Sequence, residues 1–286
     1  MGGAERAERR RRQQQRTTGS DGPTANRGKS GGKNAGAKAV AAARGGTDTR
    51  RVPAIVGVVV LVVAVVVGGL IWTNSAKNAT EGENIPTATA TADLPERRDG
   101  SVVVVGEQDA PATIDVYADF LCPACGQFEQ QYGEQIRDRV AQGQLAVRNH
   151  MVPMLTERSD PAGYSLHAAN AALLAADAGT FTEYHDSLFA AQPGEGARAY
   201  DKDQLIQLGR DLGITDPAFA EGVRNGKYED LLNRKMEQVE SDSSLHRDLG
   251  RGPAFATPLV VADGEVVDAF NNPNWLDDVV ADARAG

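Results

Sequence analysis

Two cysteines separated by two residues carry the most reactive chemistry in this 286-residue chain, which contains no other thiol. Cys122 and Cys125 enclose Pro123 and Ala124. The thiolate is the nucleophilic form of cysteine, and the first thiol of such a pair can have a pKa of ~3.5–7. The short spacing also lets the second thiol attack a mixed disulfide formed at the first. The motif therefore indicates thiol–disulfide exchange, with Cys122 as the exposed, attacked sulfur and Cys125 as its more buried partner.

Three other roles are open to such a pair: half of a zinc site, a structural disulfide, or a chance spacing. A zinc site needs two further ligands, and none of the four histidines stands at metal-site spacing. They are His150, His167, His185 and His246. One small disulfide loop would add little stability to a domain of this size. We therefore favour redox chemistry and expect no metal and no organic cofactor, because the thiols themselves carry the electrons.

The residues around the cysteines predict a strand that runs directly into a helix. Residues 112–120 alternate in part between apolar and polar side chains, which is typical of a strand. After the second cysteine, apolar residues recur every four positions, on one face of a helix. These are Phe128, Tyr132, Ile136 and Val140. Cys122 then falls near a helix N-terminus, where unpaired N–H groups and the positive end of the helix dipole favour a thiolate.

Residues 101–286 are long enough for one domain with a substantial core. Further strands are predicted at 102–105 and 145–153, and a hairpin at 259–267. Helices are predicted at 162–176, at 205–212 ending before Gly213, after Asp216 with Pro217 in the first position, at 228–239, and from Trp275 onward. The predicted order is strand–helix–strand, a helical insertion, a hairpin and a closing helix.

The charge of the chain is divided between two regions. Residues 1–51 contain 13 Lys/Arg and 4 Asp/Glu, a net charge of +9, whereas residues 52–286 contain 17 and 35, a net charge of −18. The basic region has no aromatic residue and no core-forming pattern, so it is expected to be disordered. Its charge fits either binding to RNA or anionic lipid or, as we favour, a cytoplasmic flank of a membrane span. The acidic remainder argues against nucleic-acid binding.

Residues 52–72 contain no charged side chain over 21 positions. A helix of this length reaches ~31 Å, which matches a hydrocarbon core of ~30 Å. Because Arg50 and Arg51 precede it, the segment predicts a single-pass anchor with a cytoplasmic N-terminus and an extracytoplasmic domain. A cleaved signal peptide is the alternative, but its apolar part usually spans only ~7–15 residues. Residues 73–100, with a Thr-Ala repeat at 87–92, are interpreted as an extracytoplasmic linker.

Residues 106–125 resemble the DsbA-like branch of the thioredoxin superfamily, and in particular its membrane-anchored actinobacterial members. The resemblance continues through an Ala-rich stretch at 168–172 and 185–189 to residues 256–261, and covers about 101–285. It implies a thioredoxin fold, an α/β fold, with an inserted α-helical domain at about 155–250. The disordered tail and one transmembrane helix would precede this domain.

The resemblance also implies roles for individual residues. Cys122 and Cys125 correspond to the catalytic pair, and Pro258 to a cis proline that faces it. Thr257 would then offer backbone hydrogen bonds to an extended substrate chain. Two positions depart from the pattern. The dipeptide between the cysteines is Pro-Ala, where strong oxidases carry Pro-His, and Val116 stands where thioredoxin-type proteins keep a buried acid. The nearby Asp119 would raise the pKa of the Cys122 thiol if its charge were desolvated, but we favour a solvated surface charge.

These features lead to one main hypothesis. The chain is expected to be a membrane-anchored, extracytoplasmic dithiol oxidase that introduces disulfides into reduced or unfolded exported proteins. The resemblance implies reoxidation by a quinone-linked, vitamin K epoxide reductase-like membrane protein. A reductase or isomerase would use the same cysteines in the opposite direction, and the sequence does not distinguish the direction. A different class remains open: a binding module that holds unfolded exported chains without redox turnover.

Overall fold

The computed structural model describes residues 78–89, 93–248, 250 and 252–285. The predicted disordered tail (1–51) and transmembrane segment (52–72) lie outside these residues. Within the described ranges, no helix combines the length and the apolar character that a membrane crossing requires.

Six strands of the described chain form one sheet in the order β1-β2-β4-β3-β7-β8. They are β1 (Glu96–Asp99), β2 (Val102–Val105), β3 (Ala112–Ala118), β4 (Leu145–Met151), β7 (Leu259–Ala262) and β8 (Glu265–Val267). Two short strands, β5 (Arg247–Asp248) and β6 (Pro253–Ala254), pair only with each other. β3 and β4 are parallel, and all other neighbours are antiparallel. β3 and β4 therefore occupy the centre of the sheet.

Seven α-helices lie within the described residues, together with two short 3-10 helices at Thr156–Arg158 and Ser243–Leu245. The α-helices are α1 (Pro123–Ala141), α2 (Tyr164–Asp177), α3 (Phe181–Ala190), α4 (Lys202–Asp211), α5 (Pro217–Asn225), α6 (Glu229–Ser241) and α7 (Trp275–Ala285). α1 connects the parallel strands β3 and β4, which need such a crossover. α2 to α6 lie between β4 and β5 in the chain and form the helical insertion. The predicted thioredoxin fold with an inserted helical domain is confirmed.

The apolar stripe predicted on α1 determines where its N-terminus lies. Phe128, Tyr132, Ile136 and Val140 are all buried. The ring of Trp275, on α7, packs against Phe128 and Tyr132 at centroid distances of 6.1 and 5.5 Å. Each large side chain buried in this way contributes about 1.5–3 kcal/mol. This packing holds α1 across the sheet with its N-terminus beside the end of β3.

Two features predicted from local sequence signals, the cap of α5 and the hairpin of β7 and β8, are present in the structure. Asp216 caps α5 by accepting a hydrogen bond from the backbone N–H of Ala218, and Pro217 occupies the first turn. Asp263 and Gly264 join β7 to β8 with positive φ values of 51° and 81°. Two consecutive residues with positive φ are typical of the tight turns that match the twist of a hairpin.

The folded part begins earlier than predicted, within the segment interpreted as a linker. Glu96–Asp99 forms the edge strand β1, antiparallel to β2. Ile85 is buried in the core, and the side-chain amide of Gln204 donates hydrogen bonds to the carbonyls of Thr80 and Glu83. The strand has the sequence Glu-Arg-Arg-Asp, so it has no apolar alternation that could reveal it. Its backbone pairing and its charged partners hold it in place.

Glu96 connects β1 to the helical insertion by capping α3. Its carboxylate accepts hydrogen bonds from the backbone N–H groups of Phe181 (2.6 Å) and Thr182 (3.1 Å), and from the Thr182 hydroxyl (3.0 Å). These N–H groups belong to the first turn of a helix, where they lack partners within the helix.

We expect Glu96→Ala to lower the free energy of unfolding by about 1–3 kcal/mol, because the α3 N-terminus loses its charged cap. Urea unfolding of the whole chain measures this change. The matched control is Glu107→Ala, which removes an exposed glutamate and should change the free energy little. Equal effects of the two substitutions would contradict the capping role.

Candidate active site

Cys122 occupies the N-cap position of α1, with an extended backbone (φ −73°, ψ 116°), and Pro123 follows in the first turn. The Cys122 carbonyl accepts hydrogen bonds from the N–H groups of Cys125 (3.0 Å) and Gly126 (3.2 Å). The Cys122 N–H in turn donates to the Asp119 carbonyl at 3.0 Å. The predicted placement of Cys122 at the free N–H end of a helix is therefore confirmed.

The two sulfurs differ in exposure, but less than the sequence suggested. Both cysteines are free thiols; Cys122 is 7% exposed, whereas Cys125 has no exposed surface. The interpretation of Cys122 as an exposed sulfur was wrong in degree, although it remains the more accessible of the two. The low exposure of Cys122 is due in part to Thr257, whose carbonyl lies 3.5 Å from the Cys122 sulfur and accepts a hydrogen bond from it. The Thr257–Pro258 peptide bond is cis, as the resemblance implies.

The surroundings push the two thiol pKa values in opposite directions. The hydrogen bond from the Cys125 thiol lowers the pKa of Cys122 to about 6, although burial acts against it. The Thr257 side chain and the backbone N–H groups of Cys125 and Ala124 lower it further. Burial raises the pKa of Cys125 well above its ordinary value, and the neighbouring charge on Cys122 adds to this. At neutral pH, the reduced pair therefore holds one thiolate, on Cys122, and one thiol.

The Thr257 hydroxyl is available to this thiolate. Its oxygen is buried and has no hydrogen-bond partner within the described residues. A buried hydroxyl without a partner is costly, so an acceptor that appears nearby gains a strong hydrogen bond. Deprotonation of Cys122 supplies such an acceptor.

Asp119 is a buried acid, which corrects its interpretation as a solvated surface charge. It is 1% exposed. Its carboxylate accepts hydrogen bonds from the N–H of Leu121 (2.8 Å), the N–H of Leu155 (2.7 Å) and the hydroxyl of Ser165 (2.7 Å). These donors come from the active-site loop, from the segment after β4, and from α2. Hydrogen bonds from these three separate parts of the chain offset the free-energy cost of burying this carboxyl group.

The carboxyl group of Asp119 interacts with the reactive sulfur through its charge. Burial raises the pKa of Asp119 to about 6, its three hydrogen bonds oppose this, and the negative charge on Cys122 raises it again. The repulsion is mutual, so a carboxylate on Asp119 disfavours the Cys122 thiolate. Because both groups titrate near pH 6, their protons are lost as a coupled pair.

A second residue that the sequence did not reveal is Gln192, in the loop after α3. Its side-chain amide donates to the carbonyls of Phe120 and Cys122, both at 3.0 Å. No sequence signal marks it, because a polar residue followed by Pro and Gly after a helix is typical of an ordinary loop. It is a direct contact between the helical insertion and the cysteine loop.

A charged cluster lies one helical turn beyond Cys125. Glu129, His185 and Asp186 bring potential ligand atoms within 4.8 Å of one another. Burial alone would lower the pKa of His185, but the two carboxylates raise it overall. The guanidinium of Arg137 lies 3.1 Å from the Asp186 carboxylate. The cluster thus places two basic groups, His185 and Arg137, beside two carboxyl groups, which is the composition of an ion-pair network. Spacing could not reveal it, since its members come from two helices.

We expect Asp119→Asn to lower the pKa of Cys122, because it removes a buried negative charge beside the thiolate. A decrease of about one pH unit would raise the rate of iodoacetamide alkylation up to about twofold near pH 6, where the Asp119 carboxyl group of the parent protein becomes charged. The pH dependence of that rate measures the change. Glu134→Gln, which removes an exposed acid from α1, is the matched control. An unchanged or raised pKa in Asp119→Asn would show that the carboxylate does not repel the thiolate.

This chain resembles known proteins in both sequence and fold. A profile described as thioredoxin matches residues 98–282. The serine/threonine-protein kinase PknE of Mycobacterium tuberculosis is 31% identical over 180 residues, which are 61% of this chain and 30% of the kinase. The chain thus spans under a third of the length of these curated relatives, so their whole-protein activities do not transfer to it.

Solved structures extend the comparison over the whole domain. Oxidised DsbA of Mycobacterium tuberculosis is 27% identical with a TM-score of 0.51, and the match covers 67% of this chain and 98% of that one. The thiol-disulfide oxidoreductase MdbA of Corynebacterium diphtheriae shares the fold at 22% identity and a TM-score of 0.54, over 71% and 98% of the two chains. With its Cys-Pro-Ala-Cys loop at the N-terminus of α1, the chain belongs to the thioredoxin family and is a DsbA-like member of it.

Proposed function

We propose that this DsbA-like protein is a thiol–disulfide oxidoreductase that works as a dithiol oxidase on exported proteins. The observation that carries the proposal is the low pKa of Cys122, about 6, beside a Cys125 thiol that stays protonated. A stabilised thiolate exists only in the reduced form, so it favours reduction of the protein's own disulfide. A pair that favours its reduced form oxidises other thiols.

The reaction proceeds through two thiol–disulfide exchanges. A substrate thiolate attacks the Cys122 sulfur of the oxidised pair, which forms a mixed disulfide and releases Cys125 as the leaving group. A second substrate thiolate then attacks the substrate sulfur of the mixed disulfide and releases Cys122. The substrate loses two electrons and the cysteine pair gains them. Cys122 is suited to the second step because a thiol with a lower pKa leaves faster.

Thr257 and Pro258 support the choice of an extended chain as substrate. The Thr257 carbonyl lies beside the Cys122 sulfur, directly before β7, and accepts only a weak thiol hydrogen bond. An extended substrate could replace this contact with backbone hydrogen bonds, as in strand addition. Folded proteins rarely present a cysteine on a free extended segment, so reduced or unfolded chains are the substrate class.

The location follows from the segment at 52–72. Its uncharged composition and the preceding Arg50 and Arg51 support a single-pass anchor in the cell membrane, with the N-terminus cytoplasmic and the catalytic domain extracytoplasmic. A reduced pair outside the cytoplasm needs an electron acceptor. We assign this role to a vitamin K epoxide reductase-like membrane protein that passes the electrons to quinone.

We expect Cys125→Ala to accumulate mixed disulfides with exported proteins in cells, because the Cys122 thiolate still attacks substrate disulfides, which releases one substrate thiolate, and no Cys125 thiol remains to attack the resulting mixed disulfide. Non-reducing gels, followed by reduction, detect the adducts. The variant that lacks both Cys122 and Cys125 is the control and should form none. A binding module without redox turnover would give no difference between the two variants.

The reduced form should gain stability relative to the oxidised form as the pH rises from about 6 towards ~9. The pKa of Cys122 is lower in the folded protein than in the unfolded one, so its contribution is lost as the pH falls through about 6. Urea unfolding of both redox forms across this range measures the difference, and groups that titrate alike in the two forms cancel. A difference that stays constant with pH would contradict a stabilised Cys122 thiolate.

A further inference from the structure

We propose that Gln192, which the helical insertion supplies to the active-site loop, is a positioning residue for the reactive thiolate. The inference rests on the proposed redox function of Cys122. It goes beyond that function by assigning to the insertion a direct part in setting the reactivity of the sulfur, in addition to any part in holding substrate.

Gln192 contacts the backbone carbonyl of Cys122, which carries the reactive sulfur, and that of Phe120, two residues earlier. One side-chain amide nitrogen donates to both the Phe120 carbonyl and the Cys122 carbonyl, each at 3.0 Å. Among the described residues, the Phe120 carbonyl has no other donor. The Cys122 carbonyl also accepts from the first turn of α1. Gln192 thus closes the loop across Leu121 and Cys122.

Gly126 provides the space for this amide. A Cβ atom at this position would lie far inside van der Waals contact with the Gln192 side-chain oxygen. Glycine costs a helix interior about 1 kcal/mol relative to alanine, and α1 has it in the turn that follows the cysteine pair. The approach of Gln192 is a physical reason for a glycine here.

The amide acts on the thiolate in two ways. The carbonyl oxygens of Phe120 and Cys122 carry partial negative charge, and two N–H donors offset that charge where burial would otherwise strengthen its repulsion of the sulfur. The same bonds hold the extended backbone of Cys122, which directs the sulfur towards the N–H groups of Ala124 and Cys125. Loss of the amide should therefore raise the pKa of Cys122.

The test measures iodoacetamide alkylation of Cys122 in the whole reduced chain between pH 5 and pH 9. In Gln192→Leu we expect the rate at pH 6 to fall about threefold to tenfold, with the rate at pH 9 unchanged, since only the thiolate fraction alters. Gly126→Ala should change the profile in the same direction, because its methyl group displaces the Gln192 side chain. This second variant keeps the native glutamine and improves local helix propensity.

Gln204 offers a matched control on α4. Its amide nitrogen also donates to two carbonyls, those of Thr80 (2.7 Å) and Glu83 (2.6 Å), but it contacts the segment at 78–89 and not the cysteine loop. Gln204→Leu loses these two hydrogen bonds and the one that the Gln204 side-chain oxygen accepts from the Asp201 N–H (2.9 Å), and it should leave the alkylation profile of Cys122 as in the parent protein. Urea unfolding of each variant separates lost stability from altered reactivity.

The inference is overturned if Gln192→Leu and Gly126→Ala both keep the parent profile, whatever their stability. It is also overturned if Gln204→Leu shifts the profile as much as Gln192→Leu does, because the effect would then be a general loss of stability. If Gln192→Leu does not fold, the profile of Gly126→Ala decides. Failure of the proposed function is seen separately, as an absence of mixed disulfides with Cys125→Ala in cells, since the alkylation profile needs no substrate protein.

Discussion

A thiolate on Cys122 has almost no contact with water, so the protein itself must stabilise the charge. At 7% exposure, solvent contributes little. The stabilising groups are the Cys125 thiol, the Thr257 side chain and the backbone N–H groups at the start of α1. Helix α1 has to begin at this residue for those N–H groups to be free, and its buried stripe of aromatic and aliphatic residues holds it there. The sheet, α7 and the buried stripe thus hold α1 where its first N–H groups stabilise the negative charge on Cys122.

The acid in the site works against that charge. Val116, at the position where the family resemblance implied a buried acid, is packed in the core at 3% exposure, and the buried carboxyl group of this site is Asp119, in the loop before Cys122. Its hydrogen bonds join this loop to Leu155 and to Ser165 on α2. Asp119 therefore makes the loop more rigid, but its charge also leaves the pKa of Cys122 higher than the other contacts alone would give. Gln192 contributes two further hydrogen bonds, to the carbonyls of Phe120 and Cys122, so the insertion contacts the active-site loop directly.

The parts of this site differ in how far the sequence predicts them. The cysteine pair, the stripe on α1 and the Asp216-Pro217 cap depend on neighbours within a few residues, so periodicity and spacing reveal them. The burial of Asp119 depends on donors that lie 36 and 46 residues further along the chain, and no local pattern records such partners. β1 has no apolar residue, and its position depends on pairing with β2. The cis state of the Thr257–Pro258 bond follows from the family resemblance and not from composition.

The reduction potential of the cysteine pair tests the central claim most directly, because it measures how far the Cys122 thiolate stabilises the reduced form. The whole chain is equilibrated in glutathione buffers of graded composition, and the thiol fraction is determined after an acid quench. We expect a potential more positive than about −200 mV, between those of thioredoxin at about −270 mV and the strongest dithiol oxidases at about −120 mV. A potential below about −250 mV would contradict the account, since the pair would then act as a reductant.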